Sequence, residues 1–338
     1  MRTRTVAIVG SDSLLGREVR QILTEQAPDI GVKLVEEEEG SAILTERDGE
    51  PVVISTVDEE DIEGARVVFL TGSPDLCARS LELVERLPVR PAIIDLTYLL
   101  EQREDVALRA PLVDAPPATD EPAGAYLIAH PAAIVLAEFL TRLHRTHPVR
   151  RSLVHAFEPA SERGKKGVVE LQQQTVNLLS FKSLPQEVFD TQLAFSLLPR
   201  YGSAARVGLD SIEAMIVRQL GTLLERAGGV PPPSLRLVQA PVFHGHSFSV
   251  WIEFKKKAEP RELIKALASD RIEVRGPDEQ PASNVGVTGQ GGMIVGRVER
   301  DRNNPRAAWF WIAADNHRVA AENAVRLAQL LAPVEGSA

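Results

Sequence analysis

Short apolar runs alternate with amphipathic stretches through the first third of the chain. The run Val6–Val9 leads into Gly10, and apolar positions then recur every three or four residues to about Gln26, which predicts a strand, a turn and a helix. The pattern repeats, with buried strands predicted at 32–35, 67–70, 92–96 and 125–129, an extended segment at 52–55, and helices ending near 85 and 144. Alternation of this kind is typical of an α/β domain with a mostly parallel sheet.

The pattern changes after residue 150. Helices are predicted at 168–181 and 207–226, strands at 153–158, 247–254 and 309–312, and a closing helix from about Arg318 to Leu331. Phe248, Val250, Ile252 and Phe254 share one face of a half-buried, antiparallel strand. We expect a parallel α/β domain at 1–130, an α+β domain at 131–314, and a C-terminal helix at 315–338 that returns to the first domain.

Composition and charge exclude several functional classes. The net charge of -9 argues against a nucleic-acid surface, which normally carries a basic footprint, and against adhesion to anionic lipid. The longest apolar stretch, 125–140, is interrupted by His130, Pro131 and Glu138, so we expect no membrane span. A single cysteine, Cys77, allows no intrachain disulfide, and we expect a cytoplasmic protein.

The turn after the first strand is the candidate cofactor site. Its sequence, Gly10-Ser11-Asp12-Ser13-Leu14-Leu15-Gly16, resembles a Rossmann-type turn, in which backbone amides at a helix N-terminus meet a pyrophosphate. The middle glycine is replaced by Ser13, and Asp12 brings a negative charge to the phosphate position. The turn therefore predicts either weak dinucleotide binding or a turn retained for folding alone.

Four glutamates, Glu36 to Glu39, follow the second predicted strand. An acidic residue there can bind a ribose 2′-hydroxyl, whereas a 2′-phosphate calls for arginine. Of NAD and NADP, the sequence favours NAD. The alternative interpretation is a solvated acidic loop.

Several segments resemble motifs of the aspartate-semialdehyde dehydrogenase family and occur in the same order along the chain as in that family. The first strand and its turn resemble the family's cofactor segment, and Ala129-His130-Pro131-Ala132-Ala133 resembles its Asn-Pro-Asn-Cys nucleophile motif. The further matching segments are 161–167, 239–247, 295–297 and 315–324. The resemblance implies an NAD(P)-binding Rossmann-type domain, with Thr71, Gly72 and Asn316 as further cofactor contacts, and a second domain for catalysis and homodimer formation.

The resemblance also implies that most of the family's chemical residues are replaced. The cysteine nucleophile falls on Ala133 and the asparagine before it on Ala132. The assisting glutamine falls on Glu158, the substrate-binding arginine on Gln239, the phosphate-binding arginine on Glu101, and two polar residues of the long helix on Ile212 and Met215. Only the acid/base His246 remains. A methyl group cannot attack a carbonyl, and loss of a covalent nucleophile typically costs on the order of a millionfold in rate.

Other residues offer little replacement chemistry. Cys77 is interpreted as a small buried hydrophobe within a helix. His244 and His246, two apart on a strand, could bind a metal together, but with no cysteine or acidic partner nearby in sequence we expect no metal site. Lys165 and Lys166 are interpreted as a solvated loop rather than an anion site.

Two functional hypotheses follow. The first is a catalytically inactive family member, similar to the group called USG-1-like, that keeps the fold and the homodimer and binds a small molecule or a protein. The second is an active NAD(P)-dependent aspartate-semialdehyde dehydrogenase, or a dehydrogenase of a related aldehyde, with an altered site. A third option, a partner subunit of a genuine dehydrogenase, is weaker.

Overall fold

The chain divides into two compact units. The structure is a computed structural model that describes residues 5–36, 43–47, 50–54, 57, 59–114 and 124–331. The first unit comprises the residues up to Ala129 and those from Ala320 onward, and the second comprises His130–Val319.

A six-stranded parallel sheet forms the centre of the first unit, in the order β2-β1-β5-β6-β8-β7. Its strands are β1 (Thr5–Val9), β2 (Gly31–Val35), β5 (Val67–Leu70), β6 (Ala92–Asp95), β7 (Ala107–Arg109) and β8 (Ala125–Ile128), and β3 (Ile43–Arg47) with β4 (Glu50–Ile54) forms a separate antiparallel hairpin. All four residues of β5 are buried, as expected for a strand covered on both faces.

The helices of the first unit follow the strands. They are α1 (Leu14–Gln26), α2 (Glu59–Ile62) and α3 (Pro74–Arg86), joined by the part of α8 (Asn316–Leu331) from Ala320 onward. In that part, Asn323 Oδ1 accepts a hydrogen bond from the Leu112 amide at 3.1 Å. Cys77 lies on α3 with no exposed surface, within an apolar cluster that includes Val9 and Leu70.

Two turns of the first unit approach each other more closely than a side chain would allow. Gly10 has φ of 80°, a conformation that favours glycine. A Cβ added to Gly10 would lie 2.1 Å from the Cα of Gly72. Backbone contact between these turns therefore requires the absence of a side chain at position 10.

A mixed six-stranded sheet forms the centre of the second unit, in the order β10-β9-β11-β14-β13-β12. Its strands are β9 (Val149–Glu158), β10 (Ser234–Gln239), β11 (His246–Phe254), β12 (Ile272–Val274), β13 (Met293–Arg300) and β14 (Ala307–Ala314). The helices are α4 (Pro131–Thr146), α5 (Gly164–Leu179), α6 (Leu209–Arg226) and α7 (Pro260–Leu267), with a 3-10 turn at Ala160–Arg163. β11 pairs with both β9 and β14 in antiparallel fashion.

The α/β class, with a parallel sheet followed by a second α+β unit, is confirmed. Phe248, Val250, Ile252 and Phe254 are at most 2% exposed, so this face of the strand packs into the core of the second unit. Several predicted bounds were wrong: the helix at 207–226 begins at Leu209, the strand at 153–158 begins at Val149, and the closing helix begins at Asn316. Among the described residues, no helix has the length and apolar character needed to cross a bilayer.

Candidate functional site

His130 lies at the N-cap of α4 in the second unit and has no exposed surface. Its backbone N–H donates to Oε1 of Gln219 on α6 at 2.6 Å. Its ring Nδ1 accepts from the Ala132 N–H at 3.2 Å, which satisfies one of the free amides at the start of the helix. These two contacts orient the imidazole.

Glu162 lies on the 3-10 turn after β9 and points at two imidazoles. Its Oε2 lies 3.4 Å from His130 Nε2, and its Oε1 lies 3.9 Å from His246 Nδ1. The side chain is only 8% exposed. Burial alone would raise the pKa of Glu162, but the adjacent His130 and His246 hold that pKa well below its usual value. The carboxylate is therefore ionised at neutral pH.

His246 is the first residue of β11 and is 1% exposed. Its ring stacks on Phe248 with centroids 5.6 Å apart and meets His130 edge-on at the same distance. Burial lowers the pKa of His246 to about 3, although the nearby Glu162 opposes the shift. The imidazole is therefore neutral at neutral pH. Neither ring nitrogen has a hydrogen-bond partner within the described part of the chain.

The three side chains offer ligand atoms that lie within 4.8 Å of one another. A buried carboxylate between two imidazoles can exchange protons, and the same set can coordinate a metal ion. No acidic residue lies near His244 and His246 in the sequence, but the fold brings Glu162 to His246 from an element 84 residues earlier. His244 lies outside this group and faces His317, with ring centroids 6.2 Å apart.

Glu158 and Arg163 form a buried ion pair beside this group. Arg163 Nη2 donates to Glu158 Oε1 at 3.2 Å, and Glu158 has no exposed surface. Burial raises the pKa of Glu158, and the Arg163 charge only partly offsets that effect. A carboxyl with a raised pKa in a water-poor site can serve as a proton donor or acceptor.

Gln239, the last residue of β10, is fully occupied by internal hydrogen bonds. Its Nε2 donates to the backbone oxygens of Glu158 at 2.8 Å and Ala240 at 3.1 Å. Its Oε1 accepts from the Tyr201 hydroxyl at 2.6 Å. The Gln239 side chain has no exposed surface. Both hydrogens of its amide are donated within the unit, so it offers no donor to an external anion.

Asn316, the first residue of α8, belongs to the same buried group. Its Nδ2 donates to Glu162 Oε1 at 2.9 Å and to Ser161 Oγ at 3.1 Å. Its Oδ1 accepts from the Gly245 N–H at 3.1 Å. The side chain expected to contact a cofactor therefore also fixes the Glu162 carboxylate in position.

The glycine-rich turn lies in the first unit. Ser13 caps α1 by accepting from the Gly16 N–H at 2.8 Å, and the half-buried Leu14 and Leu15 open the helix. Beside this turn, the Thr71 hydroxyl donates to the Val9 carbonyl at 2.8 Å, and Gly72 contacts Gly10 as described above.

Glu36 supplies a negative charge to that turn. Its carboxylate accepts from the Ser11 hydroxyl at 3.0 Å and also from the Asp12 N–H. The Glu36 carboxylate therefore occupies the Asp12 N–H, which a phosphate oxygen could otherwise accept from. The rest of the predicted acidic run, residues 37–39, lies outside the described residues.

Comparison with known proteins identifies the family. Residues 140–319 match the model described as "Semialdehyde dehydrogenase, dimerisation domain". The chain belongs to the semialdehyde dehydrogenase family. It is 28% identical to an aspartate-semialdehyde dehydrogenase of Rickettsia bellii, with 96% of this chain and 97% of the relative covered. It is 35% identical to a USG-1 protein homolog of Pseudomonas aeruginosa, with 62% of this chain and 63% of that protein covered.

The fold also matches a solved structure of this family. Aspartate semialdehyde dehydrogenase II of Vibrio cholerae, in complex with ASA, superposes with a TM-score of 0.83 at 23% identity, over 98% of this chain and 99% of that one. At this identity the likeness concerns the fold, and it agrees with the two-unit α/β architecture.

The positions that the family resemblance singles out lie in both units. Ala133 has no exposed surface and lies in the first turn of α4, while Ile212 is a core residue of α6 at 3% exposure and Met215 is half-buried on the same helix. In the first unit, Glu101 is half-buried and follows Asp95, whose carboxylate accepts from the Thr97 and Leu100 amides.

Sequence reasoning did not identify His130, Glu162, Arg163 or Tyr201 as site residues. A signal existed for His130, because a histidine directly before a predicted helix-starting proline occupies a capping position. Glu162 and Arg163 lie within the segment 161–167 already compared with the family. No sequence signal pointed to Tyr201, whose role depends on Gln239, 38 residues away.

Proposed function

We propose that this chain is a semialdehyde dehydrogenase family protein that does not perform covalent thiol chemistry and serves by binding a small molecule. The observation that carries the proposal is Ala133. It lies buried at the start of α4, where a helix N-terminus would lower the pKa of a thiol. The one cysteine of the sequence, Cys77, lies in the core of the other unit.

Two further side chains support the loss of substrate chemistry. Gln239 directs both amide hydrogens to backbone carbonyls, so it cannot replace an arginine that grips a carboxylate. Glu101, at the position that the family resemblance matches to a phosphate-binding arginine, would repel an anion rather than attract it.

We further propose that any dinucleotide bound is NAD rather than NADP, and that binding is weak. Glu36, which follows β2, supports this because its charge would repel a 2′-phosphate. The same carboxylate occupies the Asp12 amide, so a dinucleotide would have to compete with it.

A homodimer formed through the second unit is also part of the proposal. The match to a dimerisation domain supports it. So do large apolar side chains exposed at the end of α5 and in the segment before α6: Leu179 at 71%, Phe181 at 99%, Phe195 at 68% and Leu197 at 61%. Exposed apolar side chains that are close in the fold can form an interaction surface. A cytoplasmic location, supported by a single buried cysteine, completes the proposal.

The test combines calorimetry with an activity assay. Full-length protein is titrated with NAD and NADP, then assayed for reduced dinucleotide in the presence of aspartate semialdehyde and phosphate. We expect weak NAD binding at most, and no turnover above the protein-free rate. Turnover near that of the Rickettsia bellii enzyme assayed in parallel would overturn the proposal.

The second candidate is an active NAD(P)-dependent dehydrogenase of aspartate semialdehyde, or of a related aldehyde, with an altered site. The retained, neutral His246 beside an ionised Glu162 favours it, since this pair can move a proton during a non-covalent reaction. Absence of dinucleotide binding at millimolar concentration would eliminate this candidate.

A further inference from the structure

We propose that His130, Glu162 and His246 form a binding site for one divalent transition-metal ion of the zinc type. Two histidines and one glutamate are a common set of protein ligands for zinc, and a three-ligand site leaves one coordination position open. The proposal does not depend on whether the chain turns over a semialdehyde.

The spacing of the ligand atoms supports a tetrahedral ion. Ligand bonds of about 2.1 Å place tetrahedral ligand atoms about 3.4 Å apart. The distance from His130 Nε2 to Glu162 Oε2 is 3.4 Å, and that from His246 Nδ1 to Glu162 Oε1 is 3.9 Å. These two distances involve different oxygens of the Glu162 carboxylate. One ligand atom from each of the three residues lies within 4.8 Å of the other two, so side-chain shifts of roughly 1 Å bring them to tetrahedral spacing.

The environment of His246 provides an independent argument for metal binding. Both ring nitrogens are buried, and among the described residues neither has a hydrogen-bond partner. Buried polar atoms normally find a partner, and a metal ion would supply one. Imidazole nitrogen favours zinc, cobalt, nickel or copper over magnesium and calcium, which prefer oxygen ligands.

The surroundings hold the carboxylate in place. Asn316 Nδ2 donates to Glu162 Oε1 at 2.9 Å and is itself fixed through Ser161 and Gly245. Hydrogen bonds of this kind to a metal ligand orient it and tune its affinity.

Metal binding carries one local cost. His130 Nδ1 accepts from the Ala132 amide, and with a metal on Nε2 the neutral ring carries its proton on Nδ1. That 3.2 Å hydrogen bond must therefore open as the metal enters. An ion that binds imidazole only weakly would not offset this loss.

The first test uses full-length protein stripped with a chelator. We expect calorimetric titration with ZnCl2 to give one ion per chain. Titration with CoCl2 should give the intense visible absorption of tetrahedral cobalt, and X-ray absorption of the zinc-loaded protein should show imidazole ligands. Failure of the folded wild-type protein to bind stoichiometrically, or a zinc spectrum without imidazole, overturns the proposal.

The second test assigns the ligands. Glu162→Gln and His246→Gln should each weaken zinc binding at least about a hundredfold, because even changes to supporting residues cost up to that much. The matched control is His155→Gln on β9, outside the cluster, which should bind within about twofold of wild type. Circular dichroism checks that each variant is folded. Unchanged affinity in either folded ligand variant places the ion elsewhere and overturns the proposal.

Discussion

The Tyr201 hydroxyl donates a hydrogen bond of 2.6 Å to Oε1 of Gln239, with both side chains buried inside the second unit. The bond links the loop before α6 to the end of β10. At the Gln239 position, the family resemblance implies an arginine that grips substrate. In this chain the Gln239 side chain makes hydrogen bonds within the second unit.

Tyr201→Phe should destabilise the protein by about 1 to 3 kcal/mol, because it leaves the buried Gln239 oxygen without a donor. The free energy of unfolding, measured by urea titration, checks this. Tyr98→Phe, at a half-buried tyrosine of the first unit, is the control and should cost less. Equal losses for the two variants would show that the Tyr201 bond contributes nothing specific.

Stability should fall as the pH drops below about 6.5, because the folded state holds His246 at a pKa of about 3. The unfolded chain binds this proton first, so the stabilisation is complete above pH 6.5 and is lost progressively toward pH 3. Each pH unit in that window costs up to about 1.4 kcal/mol.

The free energy of unfolding of chelator-treated protein at pH 7.5 and pH 5.5 measures this effect. His246→Gln should show a smaller loss between the two values than wild type, while His155→Gln should behave as wild type. A His246→Gln variant with the full wild-type loss would assign the pH dependence to other groups.

Glu36→Gln should raise the affinity for NADP more than that for NAD. Removing one charge near a 2′-phosphate is worth about 1 kcal/mol at a solvated site, roughly a fivefold change in Kd. Calorimetry with both dinucleotides measures the ratio. Glu25→Gln, at the far end of α1, removes the same charge and should leave the ratio unchanged. An unaltered ratio in Glu36→Gln would disprove the role of Glu36 in selection.

Ala133→Cys should not restore measurable aspartate-semialdehyde dehydrogenase activity. A thiol at the start of α4 supplies the nucleophile, but Glu101 and Gln239 still offer no guanidinium to the phosphate and the carboxylate. The assay described above measures the rate, with the wild-type protein as control. Substantial turnover by this single variant would mean that substrate binding survives without those arginines.

Phe181→Ser combined with Leu197→Ser should shift the protein from dimer to monomer, because these side chains are 99% and 61% exposed and exposed apolar groups contribute to association. Light scattering coupled to size-exclusion chromatography measures the mass. Val89→Ser, 85% exposed in the first unit, should leave the mass unchanged. A dimer that persists in the double variant would place the interface elsewhere.

The central strands of the first unit were predictable because they are continuous apolar runs. The short edge strand β7 and the hairpin strand β3 were not predicted. β5 reads as four apolar residues and is buried throughout. The strands missed in the second unit have weaker patterns. In β10, the exposed Arg236 lies between the half-buried Leu235 and the buried Leu237. Its strand state depends on pairing with β9, and no local signal reports that pairing.

The chemical group in the second unit was only partly predictable. His246 could be singled out by resemblance to a family, since it lies in a recognisable segment. Its contact with Glu162 joins residues far apart in the chain, and no periodicity encodes such a distance. The orientation of Glu162 also depends on Asn316, from a third element.

The contact between Gly10 and Gly72 bears on how glycine fingerprints are interpreted. A Cβ at position 10 would lie 2.1 Å from the backbone of Gly72. The first glycine of the motif is therefore required for the two turns to pack, whether or not a nucleotide binds. A chain that has given up its coenzyme would still need this glycine to fold. The glycine is therefore evidence for the packing of the fold and is not, by itself, evidence for nucleotide binding.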